Sequence, residues 1–345
     1  MGAKRVIRRR NIPQIISNFC NVWGKPRGGS EIWRAAPRSC HSSGLSSEPL
    51  ELTELTEPNH HAPASGADVL ILGCGFTGQR VAASILEQGA RVVATTRHPD
   101  SAAMQRLQQA GAIIISLDQV PEHIRSGVRV LHSIPIIGGE PEESITCLDL
   151  LGDAPRRVVY ISTTGVYGSA EHVDASTPVD RTSERARARL AVEEAVANGS
   201  WSTPDGSMKD GSIILRAAAI YGPGRGVHIA YKLGKYPRHQ SYVSRIHVDD
   251  LAAHAEAALF STVTGAYAVA DEEPCTSAEI FDFCAELLGP PDVPPQRAAS
   301  RGPVRFSANR RVDGSAVRKL LGIRLRYPSY RTGIPASIEA ARTSE

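Results

Sequence analysis

The sequence is poor in the features that organise small secreted, metal-binding or membrane proteins. Its six cysteines, at 20, 40, 74, 147, 275 and 284, form no C-x-x-C and no His/Cys ligand spacing. That argues against a metal site or a disulfide framework and fits a reducing compartment. No window of eighteen apolar residues occurs, so no membrane-spanning helix is expected. Acids are nearly missing from the first 47 residues, where nine Lys/Arg face Glu31 alone, a net of +8. The rest carries thirty basic and thirty-five acidic side chains, a net of −5, so nothing in the body suggests a nucleic-acid surface. An Arg- and Ser-rich arm without acids reads as an organellar transit peptide, for plastid or mitochondrion. Val6 stands where N-myristoylation needs Ser or Thr. The alternative is a disordered basic tail on a cytoplasmic protein. Residues 48–67 read as a solvated linker, and 1–62 are assigned to transit peptide and linker.

From Asp68 the character changes. DVLILGCGFTGQRVAASILEQGARVVATTR reads as a buried strand, a glycine turn, an amphipathic helix stopped by Gly89, and a second strand. Helices follow near 100–109 and through EESITCLDLL, with strands at 112–116, 128–135 and 156–163. A helix over about 182–197 and a sixth strand, 212–220, complete the alternation. Strands alternating with helices at this spacing predict an α/β fold, a doubly wound (Rossmann) parallel sheet. Residues 68–220 are assigned to this Rossmann domain. Residues 221–342 are expected to form mainly a small C-terminal substrate-binding subdomain, with 246–260 (IHVDDLAAHAEAALF) returning to the core. TSAEIFDFCAELLG opens with a Thr276/Glu279 capping box and ends at Gly289.

Gly73-Cys-Gly75-Phe-Thr-Gly78 is a G-x-G-x-x-G that follows a strand and opens a helix, the context in which it binds a dinucleotide. Gly73 permits the tight turn, Gly75 lets backbone approach a pyrophosphate, and Gly78 allows close helix–strand packing. The helix N-terminus favours the anion. An NAD site usually places an acid at the end of the second strand; here Thr95, Thr96 and Arg97 stand instead, and Arg97 accommodates a 2′-phosphate. NADP is therefore expected over NAD, with Arg97 as a solvent-facing strand end the alternative. Asp118 is a candidate for the adenine edge, and Phe76, Thr77 and Ser133 complete the cofactor set.

Five segments together resemble one family: GCGFTG, YISTTGVYG (160–168), RAAAIYGPGR (216–225), SRIHVDDLA (244–252) and AYAVADEEP (266–274). Over about residues 68–335 the chain resembles the extended and atypical short-chain dehydrogenase/reductase superfamily, in its NAD-dependent epimerase/dehydratase-like branch. The likeness is nearest to members with G-x-G-x-x-G in place of G-x-x-G-x-x-G. The family uses a Ser or Thr at the end of the fifth strand with a Tyr and a Lys in Y-x-x-x-K on the next helix. The resemblance puts Thr163 on the hydroxyl position. It places the pair through Arg189-Leu-Ala-Val-Glu193, so Lys becomes Arg189 and Tyr becomes Arg185. An Arg does not shuttle protons near neutrality. Arg189 keeps a donor for a ribose, and Arg185 presents a cation to the substrate. The alternative is a solvated helix face pairing with Glu184, Glu193 or Asp180.

Tyr167 and Tyr221 stand at sheet edges, as pocket residues or as packing residues with bonded hydroxyls. Arg245 falls where nucleotide-sugar enzymes of the family hold a phosphate, or pairs with Asp249 or Asp250. His247 is an acid/base or a support for its loop. The catalytic candidates are thus Thr163, Tyr167 and Arg189, and the substrate candidates Arg185, Tyr221 and Arg245. No metal is expected. The resemblance implies an NADP-dependent oxidoreductase or epimerase-like enzyme acting on a small, anionic molecule, without nucleic-acid or membrane partners. Its rival is a non-catalytic NADP(H)-binding sensor or scaffold. The oligomeric state stays open.

Overall fold

In the computed structural model, which describes residues 66–136, 140–202, 209–293 and 309–343, one seven-stranded sheet carries the fold. The expected transit peptide and linker, residues 1–62, lie outside the described residues. The strands are β1 (Asp68–Leu72), β2 (Arg91–Thr95), β3 (Ile113–Ile115), β4 (Val128–His132), β5 (Pro155–Thr163), β6 (Gly211–Ala217) and β7 (Gly265–Val269). They lie in the order 3-2-1-4-5-6-7, and every neighbouring pair is parallel. This is the doubly wound sheet that the alternation predicts.

Period-two alternation inside apolar strands explains the two layers. Val69 and Ile71 of β1 join one core with Val81 and Ile85 of α1 (Gly78–Glu87) and Met104 of α2 (Ala102–Gln109). Leu70 and Leu72 face the other core, with Cys147 and Leu148 of α3 (Glu142–Asp149) and Val192 and Val196 of α4 (Glu184–Ala197). Helix α5 (Val248–Leu259) places Leu251, Ala255 and Leu259 in the first core, so a late segment packs on the sheet's early strands. The capping box forms as read: Glu279 Oε2 accepts the Thr276 N–H at 2.6 Å, and Thr276 Oγ1 accepts the Glu279 N–H at 3.1 Å. It opens α6 (Ser277–Leu288). Two further helices, α7 (Ser315–Leu321) and α8 (Tyr330–Arg342), close the described chain. No helix among the described residues is long and apolar enough to cross a membrane.

Three details depart from the pattern. The sixth strand ends at Ala217, and Ala219–Tyr221 leaves the sheet to pair in parallel with Arg245–His247. Ala218 marks the switch, donating its N–H to Val269 O at 2.9 Å while the Ala219 N–H turns to Ser244 O. The fourth strand stops at His132 rather than 135; Pro135 has no N–H to give a ladder. The glycine-broken stretch after Tyr221 holds a short helix, Val227–Lys232, behind Gly226 at φ 125°. Its apolar face is too short to announce itself by periodicity.

Arg157, fully buried in β5, ties the sheet to the end of α5. Its guanidinium donates to the carbonyls of Ala258, Asp210 and Val263 and to Ser261 Oγ. Burial pulls its pKa down to about 10, so the cation is held by carbonyls against a desolvation cost. Arg157→Leu strands those acceptors and should lower the urea-unfolding free energy by about 3 kcal/mol. Arg187→Ala, on an exposed helix position, should stay within about 0.5 kcal/mol. Equal effects would show that the buried carbonyls need no partner.

Candidate active site

The glycine turn sits between β1 and α1, at the point where the strand order reverses, the usual ligand crevice of an open α/β sheet. It is fastened from both neighbouring strands. The Gly73 N–H donates to Thr95 Oγ1 at 2.9 Å, and the Cys74 N–H to Thr95 O at 2.7 Å. From β4's edge, Ser133 Oγ donates to Gly73 O at 2.7 Å. Gly73 has φ 81°, and a Cβ there would lie 2.9 Å from Ile134 Cγ1. At Gly75 a Cβ would meet nothing closer than Gly73 O at 4.0 Å, so this glycine faces open space. Gly78 lies against Ile71, as close helix–strand packing requires. Beyond the turn, the N–H groups of Phe76, Thr77 and Gly78 donate to no protein group among the described residues. Helix α1 has no acid in its first turn and no side-chain cap. A helix start left open in this way is a seat for an anion.

A cavity of about 980 Å³ opens in front of this turn. Gly73, Gly75, Arg97 and Ser133 line it, together with Thr96, His98, Ser116, Gln119 and Glu143. Arg97 is exposed at the end of β2, where no acid stands. Asp118 is exposed on a short turn and outside the lining, where Ser116, Leu117 and Gln119 take the place expected for it. The Phe76 ring lies under the guanidinium groups of Arg80 and Arg225, and Thr77 is buried. The residues present fit a dinucleotide: free N–H donors, a side-chain-free approach at Gly75 and a deep cavity beside them. Ser133 contributes as the clasp on the turn.

A second cavity, about 750 Å³, opens at the ends of β5 and β6. It is lined by Thr163, Gly165, Asp180, Ser183, Arg185, Ser244 and Arg310, among others. Thr163 caps the turn that follows β5, accepting the Gly165 N–H at 3.1 Å and leaving its own O–H free to donate. Arg185 reaches this cavity from the first turn of α4. Arg189 does not line it; half-buried, it donates to Arg185 O at 3.0 Å, and its pKa is lowered by burial and then by Arg185. Neither arginine has a carboxylate partner among the described residues, because Glu193 is taken by Ser162 and Arg216 and Asp180 by Thr182 and Ser183.

Four further candidates, besides Asp118 and Arg189, line neither cavity. Tyr167 is buried, its hydroxyl accepting from Arg216 at 3.2 Å. Tyr221 is buried too, donating to Ser329 O at 3.3 Å. Arg245 is 5% exposed and points inward, giving hydrogen bonds to Val243 O, Cys275 Sγ and Tyr236 Oη. It pairs with neither Asp249 nor Asp250. His247 caps α5 through the Asp249 N–H, and burial holds its pKa down at about 4, so it stays neutral at pH 7. Sequence reasoning missed Arg310. It is joined to the cleft by long-range pairings, of Arg311–Val312 with His172–Val173 and of Arg310 itself with Val243, which no local pattern announces.

No family model matches the chain. A curated relative from Streptomyces sp, 3-diazoavenalumate denitrifying reductase, is 31% identical over 138 residues, 35% of this chain. That stretch spans 45% of the relative's length. A functionally unknown conserved protein from Silicibacter pomeroyi is 30% identical across 80% of this chain and 99% of its own, with a TM-score of 0.59. MoeE5 in complex with UDP-glucose and NAD shares the fold at 22% identity, over 81% of this chain and 99% of that one, with a TM-score of 0.63. A putative NAD-dependent epimerase/dehydratase from Methylobacillus flagellatus has the same fold at 24% identity, over 80% of this chain and 99% of that one, with a TM-score of 0.61.

The second cavity has few groups that could carry a proton. Among the described lining residues no Tyr, Lys, His or Cys occurs. The one acid, Asp180, is held down to about 2 by hydrogen bonds from Thr182 and then Ser183. No lining group therefore changes charge near neutrality. The glycine turn generates a clean test. Gly75→Val, at a backbone angle that tolerates side chains and in open space, should fold normally yet remove measurable NADPH binding in a fluorescence titration. Gly73→Ala should instead cost about 1–3 kcal/mol of stability through its left-handed backbone. NADPH binding by Gly75→Val at wild-type affinity would contradict the placement.

Proposed function

We propose that the protein is an NADP(H)-dependent oxidoreductase or epimerase-like enzyme acting on a small anionic substrate. The observation that carries this reading is the open helix start, with three unpartnered N–H groups next in the chain to Gly75, which lines a 980 Å³ cavity and leaves room for a phosphate. NADP is favoured because the end of β2 offers Arg97 and His98 with no acid among them, although relatives of this fold hold NAD. The reductase name of the Streptomyces relative supports hydride chemistry.

The bound nicotinamide supplies or accepts the hydride, and this chain's residues do the rest. Phe76, Thr77 and Gly78 would hold the pyrophosphate of a bound dinucleotide, and Arg97 its 2′-phosphate. Thr163, with its hydroxyl hydrogen free, orients the reacting oxygen. Arg185 and Arg189 stand where the family's Tyr and Lys stand. Arg189 keeps a donor for the ribose, and Arg185 faces the substrate. A second reading, a non-catalytic NADP(H) sensor, is favoured by one observation: no titrating group lines the second cavity.

Only a ligand that binds the native state stabilises it. NADPH should therefore raise the melting temperature more than NADH at equal concentration, and Arg97→Ala should narrow the gap. Equal or reversed shifts in the wild type would remove Arg97 from this role.

A further inference from the structure

We infer that the second cavity takes its substrate by a carboxylate or phosphate group held between Arg310 and Arg185, and that this substrate is not a nucleoside-diphosphate sugar. The inference rests on the reading of that cavity as the substrate side of a dinucleotide enzyme, and it names the group recognised.

Arg310 is the decisive residue. It is 8% exposed and lines the cavity, and its three nitrogens donate to the carbonyls of Ala170, Thr164 and Gly168. Those bonds fix the guanidinium in place without neutralising it. No carboxylate lies within ion-pair distance among the described residues, and burial draws its pKa down. A buried cation without a counter-charge is costly, and an incoming anion relieves that cost. The terminal nitrogens each carry a second hydrogen, so the group can still donate.

Arg185 supplies the other side. It lines the same cavity from an exposed position, also without an acid partner. Ser183, the N-cap of the fourteen-residue α4, lines the cavity too, so the positive end of that helix dipole adds to the field. The opposing charge is Asp180. Its Oδ1 accepts from the N–H and hydroxyl of Thr182 and the Ser183 N–H, which leaves it ionised, so two arginines stand against one carboxylate. The hydroxyls of Thr163 and Ser169 complete a polar rim for a small molecule.

The exclusion of a nucleotide sugar comes from Arg245. In the sequence it occupies the position where the family's nucleotide-sugar enzymes grip a phosphate. Here it is turned into the interior, spent on Val243, Tyr236 and Cys275, and it lines none of the cavities described. Beside it the buried Asp271 carboxyl is pushed up to about 8 by desolvation, despite the nearby Arg245 cation. Arg245 is thus an internal structural cation.

The test uses the full chain and four probes: inorganic phosphate, succinate, UDP-glucose and NADPH, each titrated by calorimetry. Phosphate and succinate distinguish the two anion chemistries, and the one that binds more tightly names the group. The wild type should bind at least one of them, and Arg185→Ala should weaken that binding by about tenfold, the loss of one charge-assisted bond. Arg310→Lys should weaken it similarly; if that variant fails to fold, Arg185→Ala alone decides. Arg187→Ala should bind like the wild type, and UDP-glucose should bind no more tightly than phosphate. The inference is overturned if neither anion binds, if Arg185→Ala binds as the wild type does, or if UDP-glucose binds tenfold more tightly than phosphate. NADPH binding separates the two claims: its failure in the wild type removes the proposed function, whereas intact NADPH binding with no anion response removes this inference alone.

Discussion

Everything at the cofactor side depends on how Gly73 is held. Its N–H is taken by the Thr95 hydroxyl and its carbonyl by the Ser133 hydroxyl, so two strands clamp one peptide from opposite sides. The clamp fixes where helix α1 begins, and therefore where the N–H groups of Phe76, Thr77 and Gly78 point. It also explains the second strand's ending. Thr95 serves the turn, and the adjoining Thr96 accepts the His98 N–H with its own hydroxyl, which leaves Arg97 as the arginine at the cavity mouth. Geometry that would otherwise fluctuate in a loop is thus set by the parallel ladder itself.

The same sheet fixes the substrate side by a different device. Strand β5 ends at Thr163, and β6 ends two residues before Ala219–Tyr221 departs to pair with Arg245–His247. That departure opens the second cavity. Its wall is closed by Arg310, anchored on three carbonyls of the loop after β5. The chemistry of the cavity is consequently cationic and proton-poor, unlike a site built on a Tyr–Lys pair. Buried Glu193, which follows the two arginines on α4, does not neutralise them because Ser162 and Arg216 already bond it.

Much of this was legible in the residues. The strand–helix alternation, the glycine turn and the Thr276/Glu279 box are local patterns, and local patterns survive folding when the core agrees with them. Positions set by long-range pairing were not legible. Tyr167, Tyr221 and Arg245 sit in segments that run to the cleft, yet their side chains turn away from it, because Arg216, Ser329 and Tyr236 take their polar atoms. Asp118 has the right place in the chain, but the short turn after β3 directs its neighbours to the cavity instead. Arg310 reaches the site across more than a hundred residues through a two-residue strand pair beside it and a bridge of its own to Val243. Such contacts leave no trace in periodicity.

The central claim is that the open start of α1 is where the dinucleotide's charge is met. A crystal structure grown with NADPH tests it most directly. The account predicts pyrophosphate oxygens within hydrogen-bond distance of the N–H groups of Phe76, Thr77 and Gly78, with the 2′-phosphate beside Arg97. Cofactor density that avoids those N–H groups, or none at saturating NADPH, would contradict it.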